Sequence, residues 1–566
     1  MDRRIETNFG GQSSGRRWWA EWEVVFLLTL VSAIYLPRLA EVTLRGEETR
    51  RAQIGIEMVW SGDWVVPRQQ EEPFLSRPPL QNWIIVGLGT ILGECSEWAV
   101  RLPSVAAVFG LVLLIYGYSR QFLSRFASLV AAAGYATMIQ VMELGRLGET
   151  DMMFAMFVSG SLLTWHWGYA RRWPSACVWI AAYVFVAFGT LAKGPQAPMY
   201  FSAIVGVFLL ASRNWSYVLS WSHALGVAVF LAIWGAWQVP FYFAQDMSGV
   251  LAIYGQDVGF RFEDTSWPTI FEHLATYPFE ILLGCMLPWS LLFFAYGHRR
   301  MRASVGSAKG HVLFLVICIL VTFPTVWLVP GAKSRYFLPI YPCFTPLFGL
   351  VVDRACNVDA SRQMKVLWTR YLVALGLAMP IVGVFVLLSS LSSNSLPVFE
   401  GAWPFSGFYA VAGVVLGGLT LWSSRKVDPI RNFAGMFAIV VFMGLSFTGL
   451  FTNSIIQRSV DVRGAVAEVK AALPSDTKLV SFGSVFHPFA YYYGRPIPMI
   501  DWPGEGKLPD EDVTYFCYHV FSGPYYDKVD FPFEKVAVVS CDRYKSVHPK
   551  NVVVVGRRLA GQIKEK

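Results

Sequence analysis

The stretch Pro79-Leu-Gln-Asn-Trp-Ile-Ile-Val-Gly-Leu-Gly-Thr-Ile-Leu-Gly93 decides how the chain is threaded. It is apolar, but its 15 residues fall short of the roughly 20 that a spanning helix needs. Longer apolar runs lie on both sides, near 22–40, 101–119, 126–143, 151–169, 174–192, 196–212, 218–240, 278–297, 311–330, 336–353, 371–390, 404–423 and 431–452. Suppose that the chain starts inside and that Pro79–Gly93 does not cross. The inner loops then hold Arg120 and Arg125; Arg171 and Arg172; Arg213; Arg299, Arg300, Arg302 and Lys309; Arg354, Arg362, Lys365 and Arg370; and Arg425, Lys426 and Arg431. All are basic, as the bias of cytoplasmic loops towards Lys and Arg requires. If the stretch crosses, every one of these loops flips outward. It therefore reads as a juxtamembrane or re-entrant helix. The fold class is a polytopic α-helical membrane protein with about thirteen spans.

Composition agrees. Of 566 residues, 54% are hydrophobic, 16% aromatic and only 15% charged, and mean hydropathy is +0.44. An ordinary soluble domain is excluded. The net charge of +8 lies in short loops between apolar runs, so it sets topology and does not mark a nucleic-acid partner. Residues 1–21 carry Arg3, Arg4, Arg16 and Arg17 without an apolar core or small-residue cleavage site, and read as a cytoplasmic tail. The spans then occupy 22–452, with an outer loop over 41–100. From about 453 to 566 the chain changes character. Val462–Leu473 has amphipathic helical spacing, and Lys478–Phe482, Val513–Cys517 and Lys535–Ser540 read as short strands, so a small α/β domain outside the cytoplasm is expected. The eight cysteines show no metal spacing. Cys517 and Cys541 lie in this last domain, where an oxidising space would let them pair; spacing alone leaves that open.

The outer loop opens with Arg45-Gly-Glu-Glu-Thr-Arg-Arg51. Glu47–Trp60 has the periodicity of a helix lying in the membrane interface. Ser61-Gly62-Asp63 ends it as a turn, and Trp64–Pro67 is extended. Charges so close to lipid are costly unless they serve something. The same topology brings four further polar features to the outer side: Ser76-Arg77-Pro78-Pro79, Arg146-Leu-Gly-Glu149-Thr-Asp151, Leu191-Ala-Lys193-Gly-Pro195 and Gly331-Ala-Lys333-Ser-Arg335-Tyr336. Carboxylates in such a set can take a proton from an acceptor hydroxyl or amine. Arg and Lys can clamp a phosphate and stabilise it as a leaving group. Taken singly, each has a plainer reading. Glu47 and Glu48 suit a helix N-terminus, as does Asp151, and Arg77, Lys193, Lys333 and Arg335 suit snorkelling anchors. Glu272 and His273 read as metal ligands or as an interfacial polar pair.

The order and spacing of these features resemble the GT-C class of membrane glycosyltransferases, and within it the bacterial relatives of protein O-mannosyltransferases and of the aminoarabinose transferase that modifies lipid A. Glu47–Ala52 falls on that family's D-E-x-R-Y-A-type motif, and Ser61–Pro67 on its S-G-D-W-x-x-P segment. Arg77-Pro78-Pro79 falls on its K-P-P step, Arg101–Ser104 on R-L-P-S and Lys193–Pro195 on K-G-P. Leu287–Trp289 and Tyr336–Pro342 fall on its L-P-W and Y-x-x-P-x-Y-P segments. The resemblance covers roughly the first 350 residues. It implies an inverting glycosyltransferase of a bacterial-type inner membrane, N-terminus inside. A sugar moves from a polyprenyl-phosphate donor to a lipid, glycan or protein acceptor on the outer face. Glu47 stands at the family's catalytic Asp, Asp151 at its second acidic site, with Glu48 beside them. Arg50, Arg77 and Lys193 stand where the family has cations near the lipid phosphate, and Lys333, Arg335 and Tyr336 complete the binding set. Glu47 replaces Asp, and Arg77 replaces Lys. Ser76 stands in place of a metal-binding acid, so no structural zinc is expected there; no cofactor is firmly implied, and a need for a divalent metal is left open. The rival classes are a transporter or flippase of a phosphorylated lipid, against which the lack of internal repeats speaks, and a binding protein with a decayed site.

Overall fold

The computed structural model of the chain describes residues 21–259, 266–357, 361–391, 403–458, 461–502, 513–520, 532–541 and 551–559. They fall into two compact units. One comprises Met1–Arg38, Ser76–Pro78 and Leu102–Ser454; the other comprises Leu39–Leu75, Pro79–Arg101 and Ile455–Lys566.

The first unit is helical. Among the described residues, eight helices are long and apolar enough to cross a membrane, from Glu97–Ser119 to Pro429–Ile456. The expected count of about thirteen is thus not reached on length and composition, for local reasons. The first run forms α1 (Trp22–Tyr35), only 14 residues long. The run near 126–143 is broken into Arg125–Ala136 and Ile139–Leu144. Thr137, at the break, bonds back to the Ala133 carbonyl and accepts from Trp289 Nε1, each at 2.8 Å. The run near 278–297 becomes two short pieces of wide and tight turns, Glu280–Cys285 and Trp289–Gly297. Thr150–Ala170 is 21 residues long but is diluted by Asp151, Ser159, Ser161 and His166.

In the second unit, α2 (Glu47–Ser61) starts at the acidic pair and ends in Gly62, whose φ of 72° is the left-handed stop expected of Ser-Gly-Asp. The chain returns through a hairpin, β1 (Arg68–Gln69) and β2 (Glu72–Pro73). The deciding stretch forms α3 (Leu80–Leu92), 13 residues long, about 20 Å at the α-helical rise and short of a bilayer. It packs against α2. A Cβ on Gly55 would meet Val86 Cγ2 at 2.7 Å, and Asn82 Nδ2 donates to the Arg51 carbonyl at 2.7 Å. The first turn of α4 (Glu97–Ser119) belongs to this unit and the remainder to the other.

The same unit contains a five-stranded mixed sheet of β3 (Leu479–Phe482), β4 (Met499–Ile500), β5 (Tyr515–His519), β6 (Phe533–Ser540) and β7 (Val552–Arg558), in the order β4-β3-β5-β7-β6. β3 runs parallel to both neighbours, and β7 antiparallel to both of its own. The helix Val462–Ala472 puts Val462, Val466 and Val469 onto a core with Leu479, Phe489, Cys517, Val553 and Val555. β4, β7 and the helix His487–Tyr493 were not anticipated from the sequence. Cys517 and Cys541 are buried with free thiols.

Candidate active site

In the first unit, Asp151 lies in the first turn of Thr150–Ala170 and is buried. That helix packs along Ser175–Lys193, whose last residue is Lys193. The chain must leave at once for the next helix, and Gly194 (φ 100°) makes the turn that a side chain would oppose. Lys193 is thereby held with its Nζ donating to Asp151 Oδ1. It also sits 5.4 Å from the Phe154 ring centre and 5.2 Å from that of Tyr336. Arg335 enters from the turn Ser334–Ile340. Its Nη1 donates to Glu149 at 2.5 Å and lies 3.6 Å from Asp151 Oδ2, while its Nε is buried without a hydrogen-bond partner. Arg77 lies close enough for its charge to act on Asp151. Three cations therefore share two carboxylates. Lys333 is exposed, and its backbone carbonyl accepts the Tyr277 hydroxyl at 3.4 Å.

In the second unit, Glu47 is 38% exposed at its side chain, with both oxygens on Arg50 Nη1 at 2.6 and 2.8 Å and Arg51 at 3.7 Å. Arg50 in turn lies over the Phe74 ring at 5.0 Å. Burial alone would raise the Glu47 carboxyl, but Arg50, Arg51 and His487 hold it below the usual value. It is therefore ionised at neutral pH and open to solvent. His487 hydrogen-bonds Thr49 Oγ1 at 2.6 Å. Burial first, then the charges of Arg50 and His519, bring its ring down to about 4 against the opposing charge of Glu47.

Glu48 is placed quite differently. Arg101 Nε and Nη2 grip its two oxygens at 2.7 and 2.8 Å, and the side chains are 2% and 0% exposed. Arg101 also donates to the carbonyls of Leu39, Val42 and Thr43, and Glu48 accepts the Arg45 N–H at 2.9 Å. This geometry ties the loop together and leaves Glu48 no face towards a substrate.

Sequence reasoning named neither Glu149 as the partner of Arg335 nor His487 beside Glu47. The first sits in a segment already picked out, two places from Asp151. The second carries no signal, since 438 positions separate it from Thr49. His273 Nε2 lies 3.3 Å from the Val326 carbonyl, and no group of three metal-ligating side chains occurs among the described residues.

Comparison with known proteins meets this geometry. Residues 76–237 match the family model described as dolichyl-phosphate-mannose-protein mannosyltransferase. The structure superposes on ArnT from Cupriavidus metallidurans bound to undecaprenyl phosphate with a TM-score of 0.69, covering 95% of this chain and 98% of that one at 19% identity. The fold is that of ArnT. Two relatives from Proteus mirabilis, both named undecaprenyl phosphate-alpha-4-amino-4-deoxy-L-arabinose arabinosyl transferase, align as well. One is 24% identical over 75% of this chain and 74% of its own length. The other is 30% identical over 25% of this chain and spans about a quarter, 26%, of its own length. The resemblance read from the motifs is borne out by the ArnT fold and by these relatives.

Proposed function

We propose that this protein is an inverting glycosyltransferase that moves one sugar from a polyprenyl-phosphate donor to an acceptor outside the cytoplasm. The observation that supports the reading is the set Lys193, Arg335 and Arg77 gathered about Asp151 and Glu149 in a helical, largely apolar unit. A lipid that is also a phosphate suits both surroundings. Undecaprenyl phosphate is the ligand of the ArnT structure, and the relatives are named for it.

In this reading Glu47, ionised and half-open, takes the proton from the acceptor's hydroxyl or amine. The freed electron pair forms a bond to the anomeric carbon. The bond from that carbon to the phosphate oxygen breaks, and the polyprenyl phosphate leaves with its electron pair. Lys193, Arg335 and Arg77 receive that growing charge, as preorganised cations in a dry site do most effectively. Asp151 holds Lys193 and Arg335 in place. Glu48 shapes the loop and performs no chemistry. The threading has the N-terminus inside, about thirteen crossings and the C-terminal sheet domain outside, in an inner membrane of bacterial type.

The test is transfer of labelled sugar from polyprenyl-phosphate donors by the purified protein, with mass spectrometry of lipids and glycans from a deletion strain naming the acceptor. A pure, monodisperse protein that binds no polyprenyl phosphate overturns the reading.

A further inference from the structure

A cleft of about 430 Å³ opens at the C-terminal end of α2, with Glu57, Trp60, Arg68, Gln70, Glu71 and Ile497 in its walls. That is the size of an ordinary small-molecule site. Its floor is built in advance. Glu57 accepts the N–H groups of Gln70 and Glu71 at 2.8 and 3.1 Å and the Gln53 amide at 2.9 Å. These bonds hold a turn in which both residues have positive φ, 55° and 71°. The Gln70 side chain donates to Ser481 Oγ at 2.7 Å and to the Ile497 carbonyl at 3.1 Å, and accepts the Val485 N–H at 3.1 Å. Above this floor stands the indole of Trp60, 47% exposed.

The lining selects its occupant by chemistry. An anion meets two carboxylates and one guanidinium, and that guanidinium lies 3.5 Å from Asp63 and donates to the Glu71 carbonyl. An acyl chain would strand the polar groups. A neutral polyol satisfies both, its hydroxyls bonding carboxylate and guanidinium while its apolar ring face lies on the indole. Glu57 and Glu47 are ten positions apart on α2, about 15 Å along a helix axis. We infer that the cleft is a subsite for a neutral saccharide unit of the acceptor, set apart from the sugar-accepting end. The inference rests on the reading of the protein as a glycosyltransferase. Remote contacts of this kind supply binding energy that orients the reacting group.

The experiment is saturation-transfer NMR on the full-length protein in detergent, with glucose, galactose, N-acetylglucosamine and chitobiose as probes. At least one is expected to give signal, weakened about three- to tenfold in affinity by Trp60→Ala, the range for a lost aromatic contact, and restored by Trp60→Tyr. Glu71→Ala serves if Trp60→Ala does not fold. Absence of signal from all four, or signal that neither substitution changes, overturns the subsite. So does a short peptide competing where no saccharide does. Saccharide binding is read here without turnover. A dead subsite with Glu47-dependent transfer intact therefore refutes this inference alone, and saccharide binding without any sugar transfer refutes the enzyme reading and with it the acceptor role, while the saccharide site itself stands.

Discussion

Replacing Glu48 by Gln keeps the size of the side chain and removes its charge. Arg101 is then a cation at 2% exposure that retains three carbonyl partners but has lost the carboxylate gripping its Nε and Nη2. Breaking a buried ion pair from one side costs about 3–5 kcal/mol. If that cost falls on local opening of the loop, hydrogen exchange of the inner α2 amides should speed up by roughly 100- to 5,000-fold, at about 1.4 kcal/mol per decade. Arg101→Met should do the same from the other side. The double substitution Glu48→Gln with Arg101→Met should cost less than the sum of the two, because it leaves no buried charge unpaired. Exchange mass spectrometry on the purified variants reads all three. The result that would refute this reasoning is α2 protection unchanged in Glu48→Gln together with abolished sugar transfer. Glu48 would then act on the substrate and not on the loop.

For Glu47→Gln, turnover should fall by roughly 10²–10⁴-fold, the scale of a lost general base, with polyprenyl-phosphate affinity unchanged; wild-type turnover would remove Glu47 from that role, and Glu47→Asp should stay active. Arg77→Ala should weaken polyprenyl-phosphate binding by about 1.5–3 kcal/mol, as for a hydrogen bond to a charged group, measured by titration in detergent. On pH, His487 is neutral in the folded unit down to about 4, while its unfolded form takes a proton below 6.5. The unfolded chain binds more protons in that window, so stability present above pH 6.5 is lost as pH falls towards 4. His487→Gln should flatten the pH dependence of the unfolding temperature there. Glu47, held low, adds a loss that begins only below about 4.5.

What was legible in the sequence is what local chemistry decides. The acidic start of α2, its Ser-Gly-Asp stop, the short helix after Pro79 and the glycine turn behind Lys193 each follow from residues within a few positions. What was not legible depends on partners far along the chain. Glu47 and Glu48 look alike as neighbours on one helix turn. One faces Arg50 and solvent, and the other is taken by Arg101, 53 positions away. The Glu-Glu motif and the Arg-Leu-Pro-Ser motif are thus two ends of one contact, which no reading of either alone reveals. The breaks within the apolar runs were hidden for a similar reason. The run near 126–143 is unbroken as hydropathy, and the Thr137 hydroxyl that accepts from Trp289 marks the break only once Trp289 is packed beside it.

The charge balance around Asp151 suggests why the cluster is built with pairs. Counting only these five described side chains, Lys193, Arg335 and Arg77 stand against Asp151 and Glu149 with one more positive than negative charge. In the proposed reaction, a sugar linked through a phosphodiester would bring one negative charge to match it. As the bond to the sugar breaks, the phosphate becomes a monoester and its charge grows towards the −1.5 to −2 usual for that group near neutral pH. Attraction to the cations therefore strengthens along the reaction coordinate. An interaction stronger in the transition state than in the bound substrate is the kind that speeds the chemical step. The two carboxylates keep the resting cluster from being a bare group of cations beside lipid, which would be costly. They also hold each cation at a fixed place, so little reorganisation is left to do when the leaving charge appears.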